Sequence, residues 1–285
     1  MAGVAARSAR YLPKGAGNAL YRSCVVGGRG LSETVVQTPI DLIRFLSLEN
    51  ENLLVSIRNN EKEMFVISHI QGLYHAALDN VHTSEENAVL YQLLSFTHYH
   101  FLFCSSCLMR CHLSEALSSA RSAIDAALIS SKIIKDRNSR TDYVNGTGVF
   151  KHFSRYLGNL ERNSVGDHPL HPLVPRLRSL HKSFSSYGSH ADMNVFVHRM
   201  KFDQFGSPMF GYFQFPQCSV ERQTHSMNLY IVFVMVLDMF SDFLVDEERK
   251  VPEEWRQELR RLGATVEHHV SKLRDISPHA EGGDE

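Results

Sequence analysis

Ser114–Asp136, SEALSSARSAIDAALISSKIIKD, is the stretch whose periodicity decides the fold class. Leu117, Ala120, Ile124, Ala127 and Leu128 recur at steps that place them on one face of an α-helix, while Ser118, Ser122 and Lys132 fall elsewhere. Alanine at several core-facing positions implies that a neighbouring helix approaches closely. A later stretch, Ser183–Asn194 (SFSSYGSHADMN), closes a second helix. There Leu173, Leu177, Leu180, Phe184 and Tyr187 advance by four, three, four and three, and Gly188 suits a left-handed helix end.

Working outward, Thr38-Pro39 reads as a helix start, with Ile40, Ile43, Leu46, Leu53, Leu54 and Ile57 as its apolar positions. A helix from Glu61 turns Phe65, Ile70, Leu73, Tyr74, Ala77, Leu78 and Val81 inward, and Ser84-Glu85-Glu86 opens a third that runs to about Arg110. Arg137–Gly148 is a loop by its polar and glycine-rich composition, and Asn145-Gly146-Thr147 reads as a turn rather than a glycosylation site. A helix carrying Phe150, Phe153, Leu157 and Leu160 follows, then a loop through Pro172. Two aromatic and β-branched runs, 195–202 and 209–215, flank Gln204-Phe205-Gly206-Ser207-Pro208 and predict a small hairpin. An apolar helix over about 219–245 is the central one, and Pro252 starts a last helix through Trp255, Leu259, Leu262, Val266, Val270 and Leu273. The expected architecture is mostly α: a bundle of about seven helices with a β-hairpin insertion near 195–215. Residues 1–36 read as a flexible basic tail, 37–276 as a single helical domain, and 277–285 as a disordered C-terminal tail.

The chain has 285 residues, enough for a sizeable core, and its 43% hydrophobic and 21% charged content is that of a globular protein. Lys plus Arg number 30 against 31 Asp plus Glu, so no overall field draws in a polyanion. The most apolar run, Leu229–Leu237 (LYIVFVMVL), is too short to cross a bilayer, and no membrane partner is expected. Five cysteines, an odd number, three of them crowded together, favour free thiols in a reducing compartment and a cytoplasmic location. Arg7, Arg10, Lys14, Arg22 and Arg29 without an acid in residues 1–32 leave an organelle-type presequence or a nucleic-acid-touching arm as alternatives to the tail.

Cys104, Cys107 and Cys111, with His98, His100 and His112 nearby, have the look of a metal loop. His100 and the three cysteines nevertheless step by four, three and four along one expected helix, whose stripe is about 16 Å long at 1.5 Å per residue. A straight helix offers two neighbouring ligands to one ion, not four, so these thiols are expected to fill core space; a thiol or metal sensor is the alternative. No His-Glu-x-x-His, glycine-rich phosphate loop or Gly-x-Ser-x-Gly elbow occurs, so no cofactor is implied.

The helix Ala120–Leu128 (ARSAIDAAL), followed by the Ser-Tyr-Gly elbow with His190, resembles the all-helical HEPN-type domains of bacterial and archaeal defence and toxin–antitoxin systems, over about residues 90–197. That resemblance implies a helical fold, association as a homodimer or with a protein partner, and a place in such systems. In the metal-independent RNase members an Arg, four to six residues and a His form the reacting pair, the guanidinium holding phosphate and the imidazole moving the 2′-hydroxyl proton. Arg162 and His168 match that spacing here, and Arg261 with His268 is a second match.

A second constellation is Arg121, Asp125, Tyr187, Ser189, His190 and Asp192, which an antiparallel packing of the two helices gathers into one polar pocket. The plain alternative is an internal Arg121–Asp125 ion pair with His190 capping a turn. The leading functional expectation is a non-enzymatic helical interaction or accessory protein, linked by resemblance to defence systems. The alternatives are a metal-independent RNase, with RNA as its partner, and the thiol or metal sensor.

Overall fold

Nine α-helices carry most of the regular structure among the residues that the computed structural model describes: 41–80, 87–134, 136–152, 156, 171–188, 200–202, 208–211, 213, 220–244 and 251–276. They are α1 (Leu42–Asn59), α2 (Glu61–Asp79), α3 (Ala88–Met109), α4 (Leu113–Ile133), α5 (Arg137–Asn145), α6 (Val174–Gly188), α7 (Val220–Met239), α8 (Ser241–Leu244) and α9 (Glu253–Ile276). The expected tails, 1–36 and 277–285, lie outside the described residues, as do Thr38-Pro39 and Ser84-Glu85-Glu86. The protein is mostly helical, as the periodicity predicts. α5 falls where a loop is expected, and α7 and α8 divide the helix expected over 219–245 at Phe240.

α4 and α7 form the centre. Ala116, Ala120, Ala123 and Ala127 are fully buried on α4, and their missing bulk lets α3 lie close along it while α6 and α7 take other sides. α7 is buried almost all round, which is why its run from Leu229 to Leu237 has no polar face; it packs on α9, α4, α2 and α3. α9 is the opposite case, a two-sided helix that turns Trp255, Leu259, Leu262, Val266 and Val270 inward. The Trp255 indole donates to the Leu73 carbonyl at 2.9 Å, tying α9 to α2.

The C-terminus of α3 ends inside this core. Its last carbonyls have no acceptor role left within the helix, and buried carbonyls must find donors elsewhere. His112 N–H reaches Cys107 O at 2.9 Å and Cys111 N–H reaches Leu108 O at 3.0 Å, the pairing of a Schellman turn. Such a turn needs a left-handed residue, and Cys111 supplies it at φ 66°, where glycine is usual. The predicted stripe of His100, Cys104, Cys107 and Cys111 is therefore broken: α3 stops at Met109, and Cys111 belongs to the turn.

α1 completes the capping and corrects the sequence reading of that helix. Ser56 donates to Met109 O at 2.8 Å, and Asn52 Nδ2 lies 3.4 Å from Arg110 O. Glu49 pairs with His112 at 2.8 Å, so the inward face of α1 is polar. Helix geometry then turns most of the apolar positions outward: Leu42, Ile43 and Leu54 are 68%, 72% and 67% exposed, and Leu46 and Ile57 are exposed as well, while Leu53 packs, partly buried, against the core. Asp41 caps this helix, accepting from Arg44 N–H at 2.8 Å.

Arg222 of α7 is fully buried, and both its terminal nitrogens find partners in the same region. Its guanidinium meets Glu63 of α2 at 2.7 Å through Nη2, and Nη1 lies 3.4 Å from both Glu63 and the Leu108 carbonyl. The Tyr230 hydroxyl donates to the other Glu63 oxygen at 2.9 Å. Three helices are thus joined at one dry polar centre.

Two further expectations change. Arg137–Gly148 is not a loop: α5 occupies Arg137–Asn145, because Asp136 accepts from Asn138 N–H at 3.0 Å and from the Ser139 hydroxyl at 2.6 Å, while Gly146 at φ 62° closes the other end. The Ser139 hydroxyl holds the Asp136 carboxyl below its usual range. The sequon residues do form a turn, and Phe150 sits in a 3-10 segment, Gly148–His152, rather than at the head of an α-helix. Phe153, Leu157 and Leu160 lie outside the described residues. Of the region 195–215, the described residues hold one antiparallel ladder three residues long, β1 (Met200–Phe202) with β2 (Pro208–Phe210), shorter than the runs read from sequence; the link between them is outside the described residues.

Replacing Glu63 by Met strands the buried Arg222 charge, and the expected loss is about 3–5 kcal/mol. Adding Arg222→Met removes the stranded charge and restores most of the stability. Urea unfolding of both variants checks this; a single variant as stable as the parent defeats the assignment.

Candidate functional site

Arg121 and Asp125 lie one turn apart on α4, both partly buried. The expected ion pair between them is not formed among the described residues. Asp125 Oδ1 instead lies 2.9 Å from Nε2 of His181, on α6. Neither atom has a hydrogen bond of good geometry, so the contact is a close approach of imidazole and carboxylate rather than an aligned bond. The packing of α6 on α4 brings a histidine to Asp125, but it is His181, about two turns before the elbow. Its signal was present in the α6 register: His181 follows the core residue Leu180 by one position.

Tyr187 is in the last turn of α6, with its side chain outside the described residues. Ser189, His190 and Asp192 also lie outside them, as do Arg162 and His168. Of the second matching pair, Arg261 is on the exposed face of α9 and is bound by Glu258 at 2.7 Å, while His268 is two turns further along the same helix.

The groove between α3 and α4 holds two adjoining cavities that share Ser122. One, of about 290 Å³, has Tyr99, His100 and Phe103 on one wall and Ser114, Glu115, Ser118 and Ser119 on the other. The second, of about 360 Å³, runs past Phe96, Gln92 and Asp125 to Tyr143 of α5. Phe96, Tyr99, Leu102 and Phe103 are exposed along the α3 rim, while α4 presents hydroxyls. Ser119 donates to the His100 carbonyl at 2.9 Å and faces His100 Nδ1 at 2.9 Å. Burial lowers the proton affinity of His100, which keeps this imidazole neutral beside the hydroxyl.

The three clustered cysteines are free and buried. Burial, then the charges of Cys107 and Glu63, push the Cys104 thiol well up, and burial above all pushes Cys107 up to about 11. Thiolate is the nucleophile and the metal ligand, so this environment opposes both roles. Among the described residues no group of three or more His, Cys, Asp or Glu side chains is placed to hold a metal ion.

Sequence reasoning did not single out Glu63, Arg222 or Tyr230. One signal existed: Arg222 is a lone cation at the start of the helix that is otherwise the most apolar of the chain. These features define a mostly helical bundle with polar clefts between helices, and among the described residues no helix is long and apolar enough to cross a membrane. No protein-family model, curated protein or solved structure matches the chain.

The Cys107 thiol gives a pH prediction. In the unfolded chain it ionises near its ordinary value of 9.0, whereas the folded protein keeps the proton to about 11. The unfolded state sheds its proton first, so this stabilising contribution is complete below pH 9 and is lost as pH rises towards 11. Stability measured by urea unfolding at pH 8 and pH 10.5 is expected to fall less in Cys107→Ala than in the parent; equal slopes would refute the burial of this thiol.

Proposed function

We propose that this chain is a non-enzymatic helical interaction protein, and that the outward face of α1 is its association surface. The observation that carries this reading is the inversion of α1: five large aliphatic side chains, Leu42, Ile43, Leu46, Leu54 and Ile57, face solvent while Asn52 and Ser56 are buried. Scattered exposed apolar residues need no explanation, but a contiguous stripe on one helix marks a contact surface. At 100° per residue Ile43, Leu46, Asn50, Leu54 and Ile57 fall within an arc of about 80°.

The spacing of the stripe favours a second copy as partner. From Ile43 the steps are three, four, four and three, the same in either direction about Asn50. A second α1 running antiparallel sets Ile43 against Ile57, Leu46 against Leu54 and Asn50 against itself, the self-complementary pattern of a two-fold interface. A partner protein offering an amphipathic helix meets the same surface.

The test is a Cys24→Ser, Cys218→Ser background carrying Asn50→Cys. A residue on the two-fold axis is expected to form a disulfide-linked dimer under mild oxidation, and Leu46→Glu with Leu54→Glu is expected to give a monomer in light scattering. A parent protein that is monomeric at 100 μM order-of-magnitude concentrations, with no cross-link and no binding of an amphipathic helical peptide, sinks the reading.

A further inference from the structure

α2 begins beside the last turns of α9, and the space between them, walled on the third side by α7, is a cavity of about 420 Å³. Lys62 of α2 and Lys272 of α9 both line it, and among the described residues neither lysine is held by a carboxylate. His269 lies with them. Its proton affinity is lowered by burial first and then by the Lys62, His268 and Lys272 charges, as expected of an imidazole lining the same cavity as the two lysines.

The opposing charges are few. Glu61 stands on the rim, exposed as Lys62 and Lys272 are, and Glu63 is already occupied by Arg222 and Tyr230. The amides at the bottom are also fixed. Asn60 donates to the Ser56 carbonyl at 2.9 Å and accepts from Gln223 at 3.3 Å, so its side chain does not cap the first turn of α2. The remaining wall is apolar, Met227 and Leu273. A cavity of this size is far larger than a simple ion and falls in the range of small-molecule sites.

We infer that this cavity binds a small organic anion, with one phosphate or carboxylate group between Lys62 and Lys272 and an apolar body against Met227 and Leu273. An ammonium pair without carboxylate partners gives charge-assisted bonds to such a group, and the apolar wall selects against inorganic ions. Its walls come from the end of α1, which supplies Asn59, and from α2, α7 and α9, so the ligand clamps these helices above the buried Glu63–Arg222 pair. The site is separate from the outward face of α1 and does not depend on self-association.

The experiment titrates the full chain with phenyl phosphate, benzoate, inorganic phosphate and, as an uncharged counterpart, benzyl alcohol. The ring-proton signals of His269 and the thermal midpoint are followed together. Saturable His269 shifts and a raised midpoint are expected with phenyl phosphate or benzoate, the tighter of the two naming the head group, with a weaker response to inorganic phosphate and none to benzyl alcohol. Lys62→Ala and Lys272→Ala are each expected to weaken the aromatic anions about tenfold or more, the loss of one charge-assisted contact. Lys132→Ala, remote from the cavity and paired with Asp136, is expected to leave binding unchanged. The inference is overturned if no anion gives a saturable shift, if both cavity-lysine variants bind like the parent, or if benzyl alcohol binds as well as the anions.

Discussion

The carbonyls that end α3 inside the core are the constraint on which the rest of this structure depends. A helix C-terminus at the surface gives its last acceptors to water, but this one has none to give them to. Its own turn supplies the Cys111 and His112 amides, and the other donors come from far along the chain: Ser56 and Asn52 from α1, Arg222 from α7. Arg222 in turn cannot be buried without a counter-charge, which is the reason Glu63 and the Tyr230 hydroxyl lie beside it. Phe213 stacks on Phe45 at 5.7 Å and closes over His112, so the aromatic cover of the turn is also supplied from far along the chain.

The functional surfaces follow from that constraint. A helix that offers its hydroxyl and amide side chains to buried carbonyls has only its aliphatic side left for solvent, and that is how α1 acquires an apolar exterior. The same arrangement fixes the start of α2 against α7 and α9, because Asn60 is held by both Ser56 and Gln223. The lysine-rimmed cavity stands directly on that junction. The proposed association surface and the proposed anion cavity thus both stand on one solution to the problem of ending a helix in a core.

Legibility in the sequence followed the strength of the local signal. The α4, α6, α7 and α9 helices were readable because apolar residues at helical spacing bury themselves whichever neighbour they meet. The segment over α5 was misread as a loop since its composition is polar throughout, while its ends, Asp136 and Gly146, were the informative positions. α1 was readable as a helix and unreadable in orientation, because periodicity identifies an apolar stripe without saying what lies opposite it. At the candidate sites Asp125 stands beside His181, a histidine that a search for one at the elbow passes over.

The amino-acid sequence by itself determined that this chain folds as helices, where most of them run, and that its clustered thiols have apolar company, since these depend on side-chain spacing within single elements. Only the tertiary structure decided which face of α1 is inside, that α3 ends at a Cys111 left-handed turn, and that Lys62 and Lys272, far apart in the chain, share one cavity. Those features arise between elements, where the need to satisfy buried carbonyls and a buried guanidinium outweighs the local preference of an aliphatic stripe for the core.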